Sequence, residues 1–297
     1  MKPLTALPLL ATTALAIPHF SYPLPTTKYL ISFGDSYTST TFNISSTKPS
    51  SSNPLGNPPW PGWTSAGGAN WISNLVAKYN DSLLLSYNLA YGGATVNASL
   101  VEPYTPEVAS LIDQVGEFNE YLVPPPVWAK WKKKNTLVAV WMGVNDVGGS
   151  WWQTDAAALQ VEILDQLFEQ IELVYAGGAR NFALLTVPPT ERSPLMAQGE
   201  NADYTIEHLS AAIATWNTGL TERASTFASA HPDAVVKITD TQPVFNDLLD
   251  ADPEGASCWN EDGVTCLWFN DYHPGLEIQD AVARAVAGDW EAFFVVS

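Results

Sequence analysis

Short segments dominated by apolar residues recur along the chain, separated by longer stretches in which apolar residues return every three or four positions. The segments Tyr29–Phe33, Leu83–Leu89, Thr136–Met142, Phe182–Val187 and Ala234–Thr239 predict strands buried on both faces, the pattern of a parallel sheet. Between and after them, Trp71–Tyr79, Pro106–Tyr121, Asp155–Tyr175, Tyr204–Ala230 and Leu276–Trp290 carry helical spacing. Leu159, Ile163, Leu167 and Ile171 make one apolar stripe, and the Gly177-Gly178 pair ends that helix. Five strands alternating with helices predict an α/β fold, a three-layer α/β/α sandwich around a five-stranded parallel sheet. In such sheets ligands sit at the carboxyl ends of the strands. The Ser-, Thr-, Asn- and Pro-rich stretch Thr38–Pro61 reads as one long surface loop. With neither repeat nor linker, residues 17–297 read as a single domain.

Residues 1–16 change the picture at one end. Met1-Lys2, an apolar run from Leu4 to Leu15 and small residues at Ala14 and Ala16 predict a secretory signal cleaved after Ala16. The run is too short to span ~30 Å of hydrocarbon. Three Asn-X-Ser sequons, at Asn43, Asn80 and Asn97, fit a secreted glycoprotein. In that compartment Cys258 and Cys266, the only cysteines, are expected to pair as a disulfide rather than remain buried thiols.

The 297 residues carry 13 Lys and Arg against 31 Asp and Glu, a formal charge of −18. Such a surface repels phosphate backbones and anionic headgroups, which argues against nucleic acid and membrane as partners. The HExxH motif, the P-loop and the dinucleotide fingerprint are all missing. The four histidines are scattered and two cysteines cannot build a structural zinc site, so neither metal nor cofactor is expected.

Candidate chemistry gathers where the predicted strands end. The first strand runs into Gly34-Asp35-Ser36, which lifts a serine to the sheet rim; an ordinary turn is the plainer alternative. The second runs into Asn88-Leu89-Ala90-Tyr91-Gly92-Gly93-Ala94-Thr95, where glycines let the backbone approach a ligand. The third ends in Gly143-Val144-Asn145-Asp146, with an amide on the same rim. Of the histidines, His19 is N-terminal, His208 lies within a helical pattern and His231 in a turn. His273 alone sits in a loop after the last strand, where a base for the serine belongs.

Taken together, Ser36, the glycine pair, Asn145 and His273 resemble the SGNH (GDSL) hydrolase superfamily, whose flavodoxin-like fold matches the predicted sandwich. Phe33-Gly34-Asp35-Ser36-Tyr37-Thr38, the Pro/Trp-rich loop after it and the Asn88–Thr95 block are similar to fungal carbohydrate esterases of family 16. Those are secreted acetylesterases acting on acetylated sugars and xylo-oligosaccharides. The resemblance implies Ser36 as nucleophile and His273 as base, with an oxyanion hole made by the Ser36 N–H, the Gly93 N–H and the Asn145 amide. Gly93 is chosen over Gly92 because it lies five residues after Asn88, the family's spacing. Asp35 and Asp146 are read as turn anchors.

One departure stands out: the family's Asp, three residues before the histidine, is here Asn270. Three options stay open for orienting the imidazole: Asn270, Asp271 by a local shift, or a backbone carbonyl beside a dyad. Twelve Trp residues, with Trp60, Trp63, Trp151, Trp152, Trp259 and Trp268 near the site segments, offer flat faces for sugar rings. Trp60, Trp63, Trp151 and Trp268 are the substrate-binding candidates. The expected activity is secreted, metal-free deacetylation of small carbohydrates by a monomer. Its rivals are a lipase- or phospholipase-like acyl hydrolase and a non-catalytic sugar-binding protein on the same scaffold.

Overall fold

The computed structural model describes residues 27–296, so the expected signal segment and His19 lie outside the described residues. In chain order the elements are β1 (Lys28–Gly34), α1 (Trp71–Ala77), β2 (Leu84–Asn88), α2 (Leu111–Tyr121), β3 (Thr136–Trp141), α3 (Val144–Gly148), α4 (Ala156–Ala176) and β4 (Asn181–Leu185). A 3₁₀ turn at Thr190–Arg192 leads to α5 (Pro194–Ala197), α6 (Ala202–Ala230), β5 (Val235–Thr239), α7 (Thr241–Ala251), α8 (Pro253–Ala256) and α9 (Leu276–Asp289). All five strands pair in parallel in the order β2-β1-β3-β4-β5. Helices α1, α7 and α9 pack together as one layer, and α2, α4 and α6 form the other. This is the three-layer α/β/α sandwich that the strand–helix alternation predicts.

From β1 the chain runs to β2 on one side, then crosses back to β3 on the other. The crevice between the carboxyl ends of β1 and β3 is the topological switch point, where open α/β sheets hold their ligands. Ser36 follows β1 and Asn145 follows β3, so the fold delivers both to that crevice.

Burial explains which elements the apolar pattern reveals. Strands β1, β2 and β3 are buried almost throughout, and α4 turns Ile163, Leu164, Leu167, Ile171 and Val174 inward. Strand β5 differs from expectation: it is an edge strand whose positions alternate, with Val235 46% exposed, so only part of it is buried. Helix α2 begins at Leu111 and not at Pro106, because Ser110 and Asp113 close a reciprocal capping box there. Helix α7 carries only Thr241, Phe245 and Leu249 to the core, a stripe too narrow to read among its acidic and polar neighbours.

The long loop after β1 is a loop, but it is tied down. The Asn70 side chain donates to Thr38 O at 2.8 Å, Ser73 Oγ to Pro61 O at 2.7 Å, and Ile44 and Leu55 are buried. Pro54 O accepts the outward-facing Ser86 N–H of β2 at 3.0 Å. Cys258 and Cys266 are joined in a disulfide with their Cα atoms 5.7 Å apart, closing the loop just upstream of His273.

Candidate active site

At the end of β1 the chain makes a single helical turn. Asp35 organises it: its carboxylate accepts the Tyr37 N–H at 2.9 Å, and its carbonyl accepts Thr38 N at 3.1 Å and Ser39 N at 2.8 Å. Gln114 of α2 clamps the strand end by accepting from Gly34 N (3.0 Å) and donating to Gly34 O (2.9 Å). Ser36 is thereby fixed between two anchored neighbours. Its own N–H donates to no protein group among the described residues.

The His273 loop folds back to meet it across 237 residues of sequence, placing Nε2 at 2.7 Å from Ser36 Oγ. On the far side of the ring, Nδ1 lies 2.9 Å from Asn270 Oδ1. That oxygen also accepts the backbone N–H groups of Tyr272 (2.9 Å) and His273 (2.7 Å), which can only donate. The atom facing the ring is therefore the amide oxygen, and Nδ1 must carry the ring proton. Nε2 is left as the lone-pair acceptor for the serine hydroxyl.

Of the three options for orienting the ring, Asn270 makes the contact. Asp271 is exposed; its backbone O accepts Leu195 N at 2.8 Å, and its carboxylate makes no hydrogen bond to the ring. Burial pushes the His273 pKa down to about 4, with the Asp271 charge opposing that shift weakly. Tyr37 supports the loop from beneath: its hydroxyl donates to Tyr272 O at 2.5 Å and its ring lies 5.6 Å from the imidazole.

The remaining donors come from the ends of β2 and β3. Gly93 has φ +80°, a conformation side chains rarely adopt, and a Cβ there would stand 2.3 Å from the Tyr104 ring. Its N–H, like that of Ser36, is unpaired among the described residues. Asn145 spends one amide hydrogen on Ala94 O at 2.9 Å, which fixes its side chain and leaves the second. Gly143, at φ +118°, makes room for the Trp216 ring in the turn that leads to Asn145.

Two carboxyls sit beneath these turns without touching the serine–histidine pair. Asp146 accepts Val96 N at 2.9 Å, and both Asp35 and Asp146 are fully buried with their second oxygen unpaired. Burial raises each to a pKa of about 7, and for Asp35 the neighbouring Asp146 adds to the rise. They anchor the backbone, as their turn positions predict.

Ser36 opens into a cleft of about 620 Å³ whose wall includes Ser39, Thr41, Phe42, Asn43, Trp63, Tyr91, Tyr104 and Glu117. Of the four tryptophan candidates, Trp63 alone reaches this wall, 72% exposed. Trp268 is a correction: it is completely buried, with its indole N–H on Ala256 O, and cannot meet a substrate. Trp60 packs against the core, and Trp151 packs on Trp152 and Tyr204, away from the cleft wall. Tyr91, Tyr104 and Glu117 were not visible as candidates. Tyr91 had a signal, since it precedes the glycine pair, whereas Tyr104 and Glu117 had none. The other described histidines are elsewhere: His208 stacks on Tyr204 and His231 bonds Glu172 at 2.8 Å. Among the described residues, no group of three or more His, Cys, Asp or Glu is arranged to hold a metal ion.

Comparison with known proteins shows the family. Residues 30–286 match the family model described as GDSL-like lipase/acylhydrolase. The chain is 46% identical over 296 residues to an acetylesterase of Thermothelomyces thermophilus, covering 98% of this chain and 97% of that protein. An acetylesterase of Hypocrea jecorina is 26% identical over 195 residues, covering 62% and 55% respectively. Among solved structures, the α/β hydrolase LAE5 from the metagenome of Lake Arreo, Spain, superposes with a TM-score of 0.51. It is 17% identical and covers 88% of this chain and 94% of its own, a likeness of fold.

Proposed function

Since the chain belongs to the GDSL-like lipase/acylhydrolase family and is a carboxylic ester hydrolase, we propose that it is a secreted serine acetylesterase that removes O-acetyl groups from small carbohydrates through an acyl-enzyme. The observation that carries this reading is the 2.7 Å contact between Ser36 Oγ and a His273 nitrogen whose tautomer is fixed by Asn270.

In the first half-reaction Ser36 Oγ attacks the acetyl carbonyl carbon as its proton passes to His273 Nε2. The carbonyl oxygen becomes an oxyanion, met by the Ser36 and Gly93 N–H groups and the free Asn145 amide hydrogen. Such donors are each worth about 3–4 kcal/mol in the transition state. Collapse breaks the bond to the sugar oxygen, which takes the proton from Nε2 and leaves as an alcohol. In the second half a water gives its proton to Nε2 and attacks the acetyl-serine, releasing acetate and restoring the hydroxyl. Asn270 holds the ring by accepting the Nδ1–H throughout, but as a neutral amide it offers the imidazolium less than a carboxylate would.

The polar cleft wall supports a sugar ester over a long acyl chain. Ser39, Thr41 and Glu117 offer hydroxyl partners, and Trp63 and Tyr104 offer flat faces. The relatives named acetylesterase are consistent with this, and the N-terminal pattern supports extracellular localisation. The deciding experiment measures acetate released from acetylated xylo-oligosaccharides by the wild type and by Ser36→Ala, alongside nitrophenyl acetate and octanoate. The wild type should release acetate and prefer the acetyl ester, and Ser36→Ala should lose at least about 10³-fold. A preference for the octanoate would overturn the substrate class, and an active Ser36→Ala would overturn the nucleophile.

A further inference from the structure

The three sequons meet very different surroundings once the chain is folded. An N-glycan is attached through the Asn Nδ2, so a native fold tolerates it only where that atom faces solvent. Asn80 is half-buried, with its Nδ2 bonded to Ser82 O and its Oδ1 accepting from Ser82 N and Oγ. Asn97 is also half-buried and gives its Nδ2 to Gln166 Oε1 at 2.5 Å, a bond a glycan would break. Asn43 is the contrast. It is exposed, its Oδ1 accepts Ser45 N at 2.8 Å, and its Nδ2 donates to nothing among the described residues.

The base of Asn43 is rigid as well as open. Its backbone N–H donates to Asn57 Oδ1 at 3.1 Å, and its carbonyl accepts from Asn57 Nδ2 at 2.9 Å. Asn57 in turn reaches Thr47 O at 2.7 Å. A sugar chain planted there starts from a fixed point, and that point belongs to the wall of the cleft holding Ser36. A glycan there begins at the wall of a cavity of about 620 Å³, within the usual size for a small-molecule site.

We infer that Asn43 carries an N-linked glycan that forms an added wall of the catalytic cleft and limits it to short acetylated substrates. The inference rests on the proposed secretion and esterase activity. A chain end or short oligomer enters beside Trp63, whereas a polymer continuing past the cleft on the Asn43 side meets the glycan.

The test uses the chain secreted from a fungal host. Glycopeptide mass spectrometry should find Asn43 occupied. Acetate release is then compared on polymeric acetylxylan and on short acetylated xylo-oligosaccharides for three forms: native, treated with endoglycosidase, and Ser45→Ala, which removes the sequon while keeping Asn43. Both altered forms should raise the polymer-to-oligomer rate ratio by roughly three-fold or more, with nitrophenyl acetate turnover unchanged. An unmodified Asn43 overturns the inference outright. An occupied Asn43 with an unchanged ratio overturns the size filter alone. Hydrolysis of neither carbohydrate by any form, with nitrophenyl acetate still turned over, overturns the carbohydrate-ester reading, and the filter with it.

Discussion

Replacing Asn270 by aspartate changes one amide for one carboxylate at the atom that orients the base. The geometry is preserved, because the Nδ1–H of His273 and the N–H groups of Tyr272 and His273 all donate to the same oxygen. What changes is charge. A carboxylate and an imidazolium about 4 Å apart at an effective dielectric near 20 attract by roughly 4 kcal/mol, or about 3 pH units. The cost of desolvating a half-buried carboxylate reduces this to a range of about 1–3 units. His273 serves as base only when neutral, so activity is present above its pKa and lost as pH falls through it. In the wild type that pKa is held down to about 4 by burial. The acid limb of kcat/KM should therefore move up from about 4 to somewhere near 5–7 in Asn270→Asp. The assay is initial-rate hydrolysis of nitrophenyl acetate from pH 3 to 8, read at a pH-independent wavelength, with circular dichroism confirming the fold at each pH. An acid limb that stays within a few tenths of a unit of the wild type would refute the electrostatic role assigned to position 270. A wild-type limb near the ordinary imidazole value of about 6.5 would refute the depression of His273 by burial.

Two further outcomes follow from the same site. Gly93→Ala forces a side chain into a positive-φ position and displaces a donor, so kcat should fall by about 10²-fold with KM little altered; Gly92→Ala, whose Cβ would meet only Ser36 Cβ at 3.9 Å, should lose less than ten-fold. The reverse order would hand the oxyanion donor to Gly92. Asp35 and Asp146, both raised to about 7 by burial, bind protons in the folded state that the unfolded chain releases near pH 4. Stability should therefore be fullest in acid and decline as pH rises through about 7. Calorimetry should give a Tm higher at pH 5 than at pH 8 by roughly 5 °C, and Asp146→Asn should remove about half of that slope. A Tm that is flat or rising over this range would mean that neither carboxyl is held protonated.

Much of the framework was legible because a parallel sheet buries both faces of its inner strands, leaving apolar runs that no helix period imitates. β1, β2 and β3 show this directly, whereas β5, at the edge, keeps only alternate positions covered. Helix α7 leaves no legible stripe, because three inward residues suffice to dock it. Ser36 and His273, which the structure brings to 2.7 Å of each other, are legible from their places after the first strand and before the last helix. The identity of the orienting group was not legible, since it depends on where a five-residue turn points its side chains. Closure of that turn by Phe269 N on His273 O at 2.8 Å directs Asn270 inward and leaves Asp271 exposed. Trp268 shows the same limit from the other side. It lies close to His273 in sequence, yet the disulfide-closed loop turns it into the core beside Phe245.

The two rims of the sheet are shielded by unlike means. At β2 the long insertion after Ser36 lends Pro54 O to the Ser86 amide; at β5 a lysine, Lys237, sits in mid-strand with its ammonium on Asp289 O. A stray extended peptide thus finds one rim occupied and the other guarded by a charge, which keeps copies of the molecule from stacking edge to edge. Trimming that Pro- and Ser-rich insertion to obtain a leaner catalyst would bare a hydrogen-bonding rim along an apolar strand, and the shortened enzyme would trade solubility for fibre-like association.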